Sequence, residues 1–195
     1  MDQNIYSDGT PAKLDGVTQS TNANKYSLVA WNSSGSNTGG PVDAMQFLYN
    51  ATKDWTNIDP ITYEYKDKEY QGTTVTDTSY TSFVLDDGIA TITALDGITT
   101  VTIGTKAEPL RVRMPIYAYK NEQEYGEVAD KTENNTYLYD NLDDGETAPY
   151  CYWTLSSDTD DSSFAWDVVY SGYVSSSLVD FGDGCGARPV INLKI

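Results

Sequence analysis

The sequence predicts a mixed α+β fold of short antiparallel strands and long loops, preceded by a partly β N-terminal portion. Three observations predict it. One segment, residues 42–55, carries its apolar side chains at helical spacing. Many short runs rich in β-branched and aromatic residues have strand character instead. Clusters of Ser, Asp, Asn and Gly separate these runs, as is typical of loops, and 195 residues suffice for one ordinary domain or two small ones.

The N-terminal portion, residues 1–104, opens with a segment rich in Ser, Gly, Asn and Thr. Within it, residues 26–31 are predicted as a short strand and residues 32–41 as a loop or flexible connection. Residues 42–55 are predicted as a helix, because their apolar positions recur at helical spacing and Asp43 suits the positive end of a helix dipole.

The rest of this portion is predicted as strands. Residues 89–95 and 98–103 are β-branched runs on either side of Asp96-Gly97, a pair that favours a hairpin turn. The other predicted strands are residues 61–65, 73–76 and 83–85. We interpret residues 1–104 as a scaffold or attachment portion, either separate from the C-terminal fold or integrated with it.

The C-terminal portion, residues 105–195, has a different pattern of elements. It begins with a predicted strand over residues 110–118 and a helix over residues 120–129. A polar, acidic loop over residues 134–149 follows. The later strands are predicted at residues 152–155, 164–170, 173–179 and 188–193.

Charge and composition argue against several classes of function. The chain has 29 acidic and 12 basic residues and a formal net charge of -17, and such a surface repels nucleic acid. It has no histidine, which removes the commonest general base and the commonest neutral zinc ligand. No apolar run approaches the roughly 20 residues that cross a bilayer. We therefore expect no nucleic-acid partner, no membrane insertion, no cofactor, no metal site and no catalytic activity.

The most specific pattern is a C-terminal frame of apolar and turn-forming residues. Trp153 and Trp166 are large enough to anchor a core that is rich in loops. Gly172 suits the positive backbone angle of a hairpin turn, and Arg188 is held extended because Pro189 follows it. The whole frame is Tyr152-Trp153-Thr154-Leu155-Ser156-Ser157, then Ala165-Trp166, Val168, Gly172, Val174 and Val179, and finally Gly186-Ala187-Arg188-Pro189-Val190-Ile191-Asn192-Leu193.

This frame resembles a prokaryotic and phage family of domains that end in GVRPVINL after a YWLRSP-type strand. That family is similar to the formylglycine-generating-enzyme branch of the C-type lectin fold. Upstream, Arg113-Met114-Pro115 with Glu122 and Glu124-Tyr125 is similar to the phrase that opens the helix of that branch. The resemblance covers about residues 110–195. It implies a C-type lectin-like fold for residues 105–195.

The residues between the frame positions follow no period and include no asparagine. Residues 151–191 contain no Asn, whereas the first 150 residues contain 11. The residue types that fill the gaps, such as Ser, Asp, Tyr, Val, Phe, Leu and Cys, are those that mutation of the adenines in an Asn codon produces. This pattern resembles the variable proteins of diversity-generating retroelements, which use the same lectin-like fold. The resemblance implies a hypervariable ligand site at Asp158, Asp160, Phe164, Val169, Tyr170, Tyr173, Ser175, Ser177, Leu178, Asp180, Phe181, Asp183 and Cys185.

Together, the two resemblances imply a non-enzymatic binding protein that is extracellular or displayed on a cell surface or a virion. It would act as a receptor-binding protein or adhesin whose partner is a protein or a cell-surface ligand. Two alternatives stay open: a carbohydrate-binding lectin assisted by a metal ion, and a structural subunit of an appendage or virion.

Two clusters in the same region have competing interpretations. Asp158-Thr159-Asp160-Asp161 offers oxygen ligands for calcium, but the glycine and glutamate of a complete calcium loop are missing, so a solvated acidic loop is preferred. Cys151 and Cys185 lack the close spacing of the paired cysteines in formylglycine-generating enzymes, so the resemblance carries no catalysis with it. We expect two free thiols, with a disulfide as the alternative.

Overall fold

The structure, a computed structural model, describes residues 28–56, 58–61, 82–94, 96–117, 127–128, 150–158, 160–169, 174–182 and 184–191. In this part of the chain it contains one α-helix and nine β-strands, so the predicted mixed α+β composition is confirmed. The helix is α1 (Val42–Thr52), and the strands are β1 (Ser82–Asp86), β2 (Ile89–Thr93), β3 (Thr100–Ile103), β4 (Ile116–Tyr117), β5 (Glu127–Val128), β6 (Cys151–Ser157), β7 (Phe164–Val169), β8 (Val174–Leu178) and β9 (Cys185–Ala187).

Helix α1 forms where the apolar spacing predicts it. Met45 and Leu48 are three residues apart, lie on one face and are buried, and Asp43 lies in the first turn. The helix ends at Thr52, whose hydroxyl donates to the Leu48 carbonyl at 2.7 Å. It is therefore three residues shorter than the predicted segment, which ran to residue 55.

Strands β1, β2 and β3 form an antiparallel sheet in that order. Its second hairpin contains Asp96-Gly97, as predicted, but its loop spans residues 94–99, because β3 begins only at Thr100. Its first hairpin was not predicted as a turn, although Asp87-Gly88 is the same turn signal. These two residues connect the strands directly with φ of 45° and 80°, the backbone angles of the tight turn that matches strand twist.

The four-stranded sheet has the order β8-β7-β6-β9, with β9 parallel to β6 and the other pairs antiparallel. The predicted strands over residues 152–155, 164–170 and 173–179 correspond to β6, β7 and β8. The strand predicted over residues 188–193 is wrong at residues 188–191, because the ladder lies earlier, at β9, and residues 192 and 193 lie outside the described residues. Pro189 has no N–H to donate, and within residues 188–191 only Val190 pairs, in an isolated bridge with Arg113.

The helix predicted over residues 120–129 is wrong at Glu127 and Val128, which form β5. They pair in parallel with β4, so a long-range ladder overrides the local helical pattern there. Residues 120–126 and 129 lie outside the described residues, as do the predicted strand segments 62–65 and 73–76. Of the strand predicted over residues 26–31, Leu28 forms an antiparallel bridge with Gly186, while residues 26 and 27 are also outside the described part.

One apolar core includes side chains from both the N-terminal and the C-terminal portion. Trp31 and Trp153 are almost completely buried in it, with 1% and 0% of their surface exposed. Each indole N–H bonds to the backbone of the segment that carries the other tryptophan. Trp31 donates to the Thr154 carbonyl at 2.9 Å, and Trp153 donates to the Val29 carbonyl at 2.7 Å. This exchange fixes the segment beginning at Leu28 against the four-stranded sheet.

Replacing Trp153 with alanine is expected to lower the free energy of unfolding by about 3–5 kcal/mol, because it leaves a large cavity in a packed core. Phe181→Ala, at a side chain that is 38% exposed, is the control and should stay within about ±0.5 kcal/mol. Urea unfolding followed by tryptophan fluorescence and circular dichroism measures both. Equal losses in the two variants would contradict the division between core and surface.

Candidate functional site

Three loops meet at one end of the four-stranded sheet, which we call the loop end. Backbone hydrogen bonds join them, since the Asn32 N–H donates to the Val179 carbonyl at 3.0 Å and the Val179 N–H donates to the Ser163 carbonyl at 2.9 Å. Segments that are far apart in sequence therefore lie side by side there. The loop end consists of residues 32–39, 158–164 and 178–182.

The Asn37 side chain holds the middle loop, residues 158–164, through backbone carbonyls of that loop. Its side-chain amide lies 2.7 Å from the Asp158 carbonyl, 3.0 Å from the Asp161 carbonyl and 2.7 Å from the Phe164 carbonyl, and donates to all three. Its own N–H donates to the Ser162 carbonyl at 2.6 Å. Asn37 is 1% exposed, so these bonds are shielded from water. Asn37 thus helps to fix the course of this loop through the loop's own carbonyl groups.

The loop that carries Asn37 is itself built from local hydrogen bonds. The Asn32 side chain donates to the Gly40 carbonyl at 2.8 Å and accepts from the Ser34 N–H at 2.9 Å. A single 3-10 turn at Asn37–Gly39 is capped by Ser36, whose hydroxyl accepts from the Thr38 N–H. The loop prediction for residues 32–41 is confirmed. Sequence reasoning missed its supporting role, although two asparagines and three serines in a capping pattern were a local signal.

Four aspartates border the loop end. Asp160, Asp161 and Asp180 are exposed, and Asp158 is half-buried. The Asp158 carboxylate accepts the Asp160 N–H and the Asp161 carboxylate accepts the Ser163 N–H, each at 2.9 Å. These carboxylates stabilise turns of their own loop, which is the behaviour expected of an acidic loop in water.

Two of the large apolar side chains exposed in the described part of the chain are at the loop end. Leu178 is 49% exposed and Phe181 is 38% exposed. The Phe181 ring lies directly against Gly184, where any side chain would overlap it. Phe181 is therefore seated on backbone and keeps its other face in solvent. The remaining two, Ile98 and Tyr150, are outside the loop end.

The structure divides the predicted site residues into two groups. At the loop end it brings together Asp158, Asp160, Phe164, Leu178, Asp180 and Phe181. On the strands, the register of β7 and β8 places Ser175 and Ser177 on the same face as Val169, whereas the opposed pair Phe164 and Leu178 lies on the other face. Val169, Ser175 and Ser177 are half-buried. Tyr170, Tyr173 and Asp183 lie outside the described residues.

Cys185 requires a correction, because the structure shows a disulfide where free thiols were expected. Cys151 and Cys185 are directly opposite each other in the β6–β9 pair, their Cα atoms are 4.6 Å apart, and their sulfurs are bonded. Cys185 is completely buried, so it is not available to a ligand, and the site prediction is wrong there. The pairing depends on a parallel ladder between segments 34 residues apart, which sequence spacing does not reveal.

Next to this disulfide, Asp167 is a fully buried carboxyl group. It is 0% exposed, and its Oδ2 atom lies 3.5 Å from the Cys185 sulfur. Burial raises the pKa of Asp167 to about 7, against the opposing effect of a hydrogen bond from Ser177. Its Oδ1 atom has no hydrogen-bond partner within the described residues. Sequence reasoning missed Asp167, because an aspartate at a strand position that alternates with apolar residues gives no local sign of burial.

A cavity of about 360 Å³ opens on the other side of the Asn37 loop, against the β2–β3 hairpin. Its walls combine polar groups of the loop with apolar side chains of the hairpin and α1. None of the predicted site residues contributes to it. It is lined by Asn32, Ser33, Ser34, Gly39, Val42, Asp43, Ile92, Ala94, Thr99 and Val101.

Comparison of the chain with protein-family models, with curated proteins and with solved structures found no match. Among the described residues, no helix combines the length and the apolar character needed to cross a membrane.

Asn37→Asp is expected to lower the free energy of unfolding by about 2–3 kcal/mol, since a carboxylate of the same shape cannot donate to three buried carbonyls. Amide hydrogen exchange should become faster in residues 158–164. Asn50→Asp, at a half-buried position on α1, is the control and should change little. Unchanged exchange in residues 158–164 of the Asn37 variant would contradict the anchoring role.

The buried Asp167 makes stability depend on pH in a defined direction. Its pKa is about 7 in the folded protein and 3.8 ordinarily, so the folded state binds the proton more tightly. Stability is therefore greatest below about pH 4 for this group and falls as pH rises to about 7, by up to about 4 kcal/mol. Asp167→Asn should be more stable than the original chain at pH 8. The difference should shrink toward pH 4 in urea unfolding series, and a constant difference would contradict it.

Proposed function

We propose that this chain is a non-enzymatic, surface-displayed binding protein of the receptor-binding or adhesin type, and that the loop end binds its ligand. The observation that carries the proposal is the way in which Asn37 contacts residues 158–164. Its side chain bonds to three backbone carbonyls of residues 158–164, and the side chains of Asp160, Asp161 and Ser162 in that loop are exposed. Exposed positions on a backbone that is anchored in this way tolerate many side chains, as a diversified site must.

The composition of the loop end suits adaptable binding. Leu178 and Phe181 offer exposed apolar area, and Phe181 pays little entropy on binding because its ring already rests on Gly184. Aspartates and serines beside them offer hydrogen bonds that adjust to different partners. Antibody binding loops combine rigid aromatic anchors with small polar residues in the same way.

A C-type lectin-like fold of the retroelement-diversified kind is the architecture we propose for this site. Its support is the frame sequence from Tyr152 to Leu193, the short antiparallel strands β6, β7 and β8, and the long loops between them. Trp153, Val168 and Val174 of this region point into the core, whereas the gaps between frame residues supply the loop end. Frame and site are therefore separated as a diversified domain requires.

Charge favours a partner with a basic surface. Residues 151–187 contain six aspartates and no lysine, arginine or glutamate. Complementary charge accelerates encounter and disfavours acidic partners more than it adds to final affinity. Protein or cell-surface ligands with exposed lysine or arginine beside an apolar group fit this surface.

The test is a selection of binders to the purified protein from a display library of random peptides. The variant Leu178→Ser/Phe181→Ser should lose at least about tenfold in affinity for the selected binders, because it removes both exposed anchors. The matched control is Ile98→Ser, which removes an apolar side chain that is 85% exposed in the β2–β3 loop. Biolayer interferometry measures the affinities, and thermal unfolding verifies that each variant is folded.

Binders that respond to Ile98→Ser and not to the double variant would move the site away from the loop end. A second pair of variants tests charge. Asp158→Asn/Asp160→Asn/Asp180→Asn should slow association, whereas Asp54→Asn/Asp86→Asn/Glu108→Gln makes the same change in net charge at exposed positions elsewhere. Equal slowing in both would mean that only the overall charge matters.

A further inference from the structure

Cys151, Asp167 and Cys185 form a compact cluster in the middle of the four-stranded sheet. Their two sulfurs and a carboxylate oxygen all lie within 4.8 Å of one another, and all three residues are buried. The strands that carry them, β6, β7 and β9, are hydrogen-bonded neighbours. Reduction of the disulfide would therefore leave three anionic ligands, two thiolates and a carboxylate, around one point.

In the disulfide-bonded form, the hydrogen bond from Ser177 compensates only part of the burial of Asp167. Its Oδ1 atom has no hydrogen-bond partner within the described residues, and a disulfide sulfur near its Oδ2 atom has no hydrogen to donate. A buried acceptor without a partner costs about 1–3 kcal/mol. An oxygen without a partner in the described part of the chain, on a carboxyl group whose other oxygen lies 3.5 Å from the Cys185 sulfur, points to a species that is absent from the disulfide-bonded form.

We propose that the reduced protein binds one soft divalent metal ion, of the class of Zn²⁺, through the thiolates of Cys151 and Cys185 and the carboxylate of Asp167. The step from the disulfide is a two-electron reduction. An external dithiol supplies two electrons and two protons, the S–S bond breaks, and the dithiol becomes a disulfide. Metal binding then displaces the two thiol protons to water. Closure of the disulfide by an external disulfide, which accepts the two electrons, takes up two protons from water and becomes a dithiol, releases the ion.

The donor set selects the class of ion. Thiolates favour Zn²⁺ and related ions over Mg²⁺ and Ca²⁺, which prefer oxygen ligands. Three protein ligands leave the fourth tetrahedral position for a water molecule or for the hydroxyl of Ser177, which already bonds to Asp167. Two thiolates and one carboxylate exceed the charge of the ion by one, so a divalent ion relieves most of the repulsion among them.

The two states of the cluster are mutually exclusive and have a structural consequence. Either an S–S bond or a metal ion crosslinks β6 to β9, and both close the segment between residues 151 and 185, which carries two of the three stretches of the loop end. The metal state adds a third attachment, on β7. The same sheet is therefore crosslinked in both oxidising and reducing surroundings.

The experiment uses the full chain, reduced with a phosphine, freed of reductant under nitrogen and titrated with Co²⁺ as a spectroscopic substitute for Zn²⁺. We expect one equivalent of Co²⁺ to produce a near-ultraviolet thiolate-to-metal charge-transfer band and visible bands of tetrahedral intensity. Equimolar Zn²⁺ should then displace it, because thiolate-rich sites prefer zinc to cobalt. The disulfide-bonded protein should show neither band.

Variants separate this site from adventitious binding. Asp167→Asn should keep the fold and weaken Co²⁺ binding by about tenfold or more, because it replaces an anionic ligand with a neutral amide. Cys185→Ser should abolish the charge-transfer band. Asp180→Asn, an exposed aspartate of the loop end, is the control and should bind as the original chain does. Absence of the band in the reduced protein, or equal affinity in the Asp167 and Asp180 variants, would overturn the proposal.

Discussion

Complete burial of β6 is the constraint on which the rest of the structure depends. All seven residues, Cys151–Ser157, are buried, so each polar group of this strand needs a partner inside the protein. Strands β7 and β9 supply most of these partners through their ladders. Trp31 supplies another at the Thr154 carbonyl, and the Pro115 carbonyl accepts the Leu155 N–H at 2.8 Å. The segment that contains Trp31 and the segment that leads into β4 are thus both hydrogen-bonded to one central strand.

Sequence patterns predicted several elements whose causes are local, although they missed the Asp87-Gly88 turn, and they missed the elements whose causes are distant. Helix α1 and the Asp96-Gly97 hairpin depend on spacing within about a dozen residues, which a sequence displays directly. The disulfide depends on the β6–β9 register, and the Asn37 anchor joins residues more than 120 positions apart. At Glu127-Val128 the predicted helix is wrong, because pairing with β4 outweighs the local helical pattern.

The candidate site was predictable in outline for a related reason. The absence of asparagine between residues 151 and 191 marks the stretch without requiring knowledge of its fold. Which side chains of that stretch share a surface depends on strand register, and a shift of one residue exchanges the faces. Phe164 and Leu178 therefore join the loop end while Ser175 and Ser177 do not. Cys185 is not part of the candidate site, because it is bonded to Cys151, its neighbour across the ladder.

The Asn37 contacts suggest how a fold can keep its shape while its binding residues change. Core substitutions commonly cost about 2–5 kcal/mol against a total stability of about 5–15 kcal/mol, so diversity is tolerable only where side chains carry little of the fold. At the loop end, the Asn37 amide donates to the main-chain carbonyls of Asp158, Asp161 and Phe164. Every residue type possesses such a carbonyl. Exchange of those side chains leaves the bonds in place. The donor, by contrast, must stay an amide, because three carbonyls need an N–H group that is buried and uncharged.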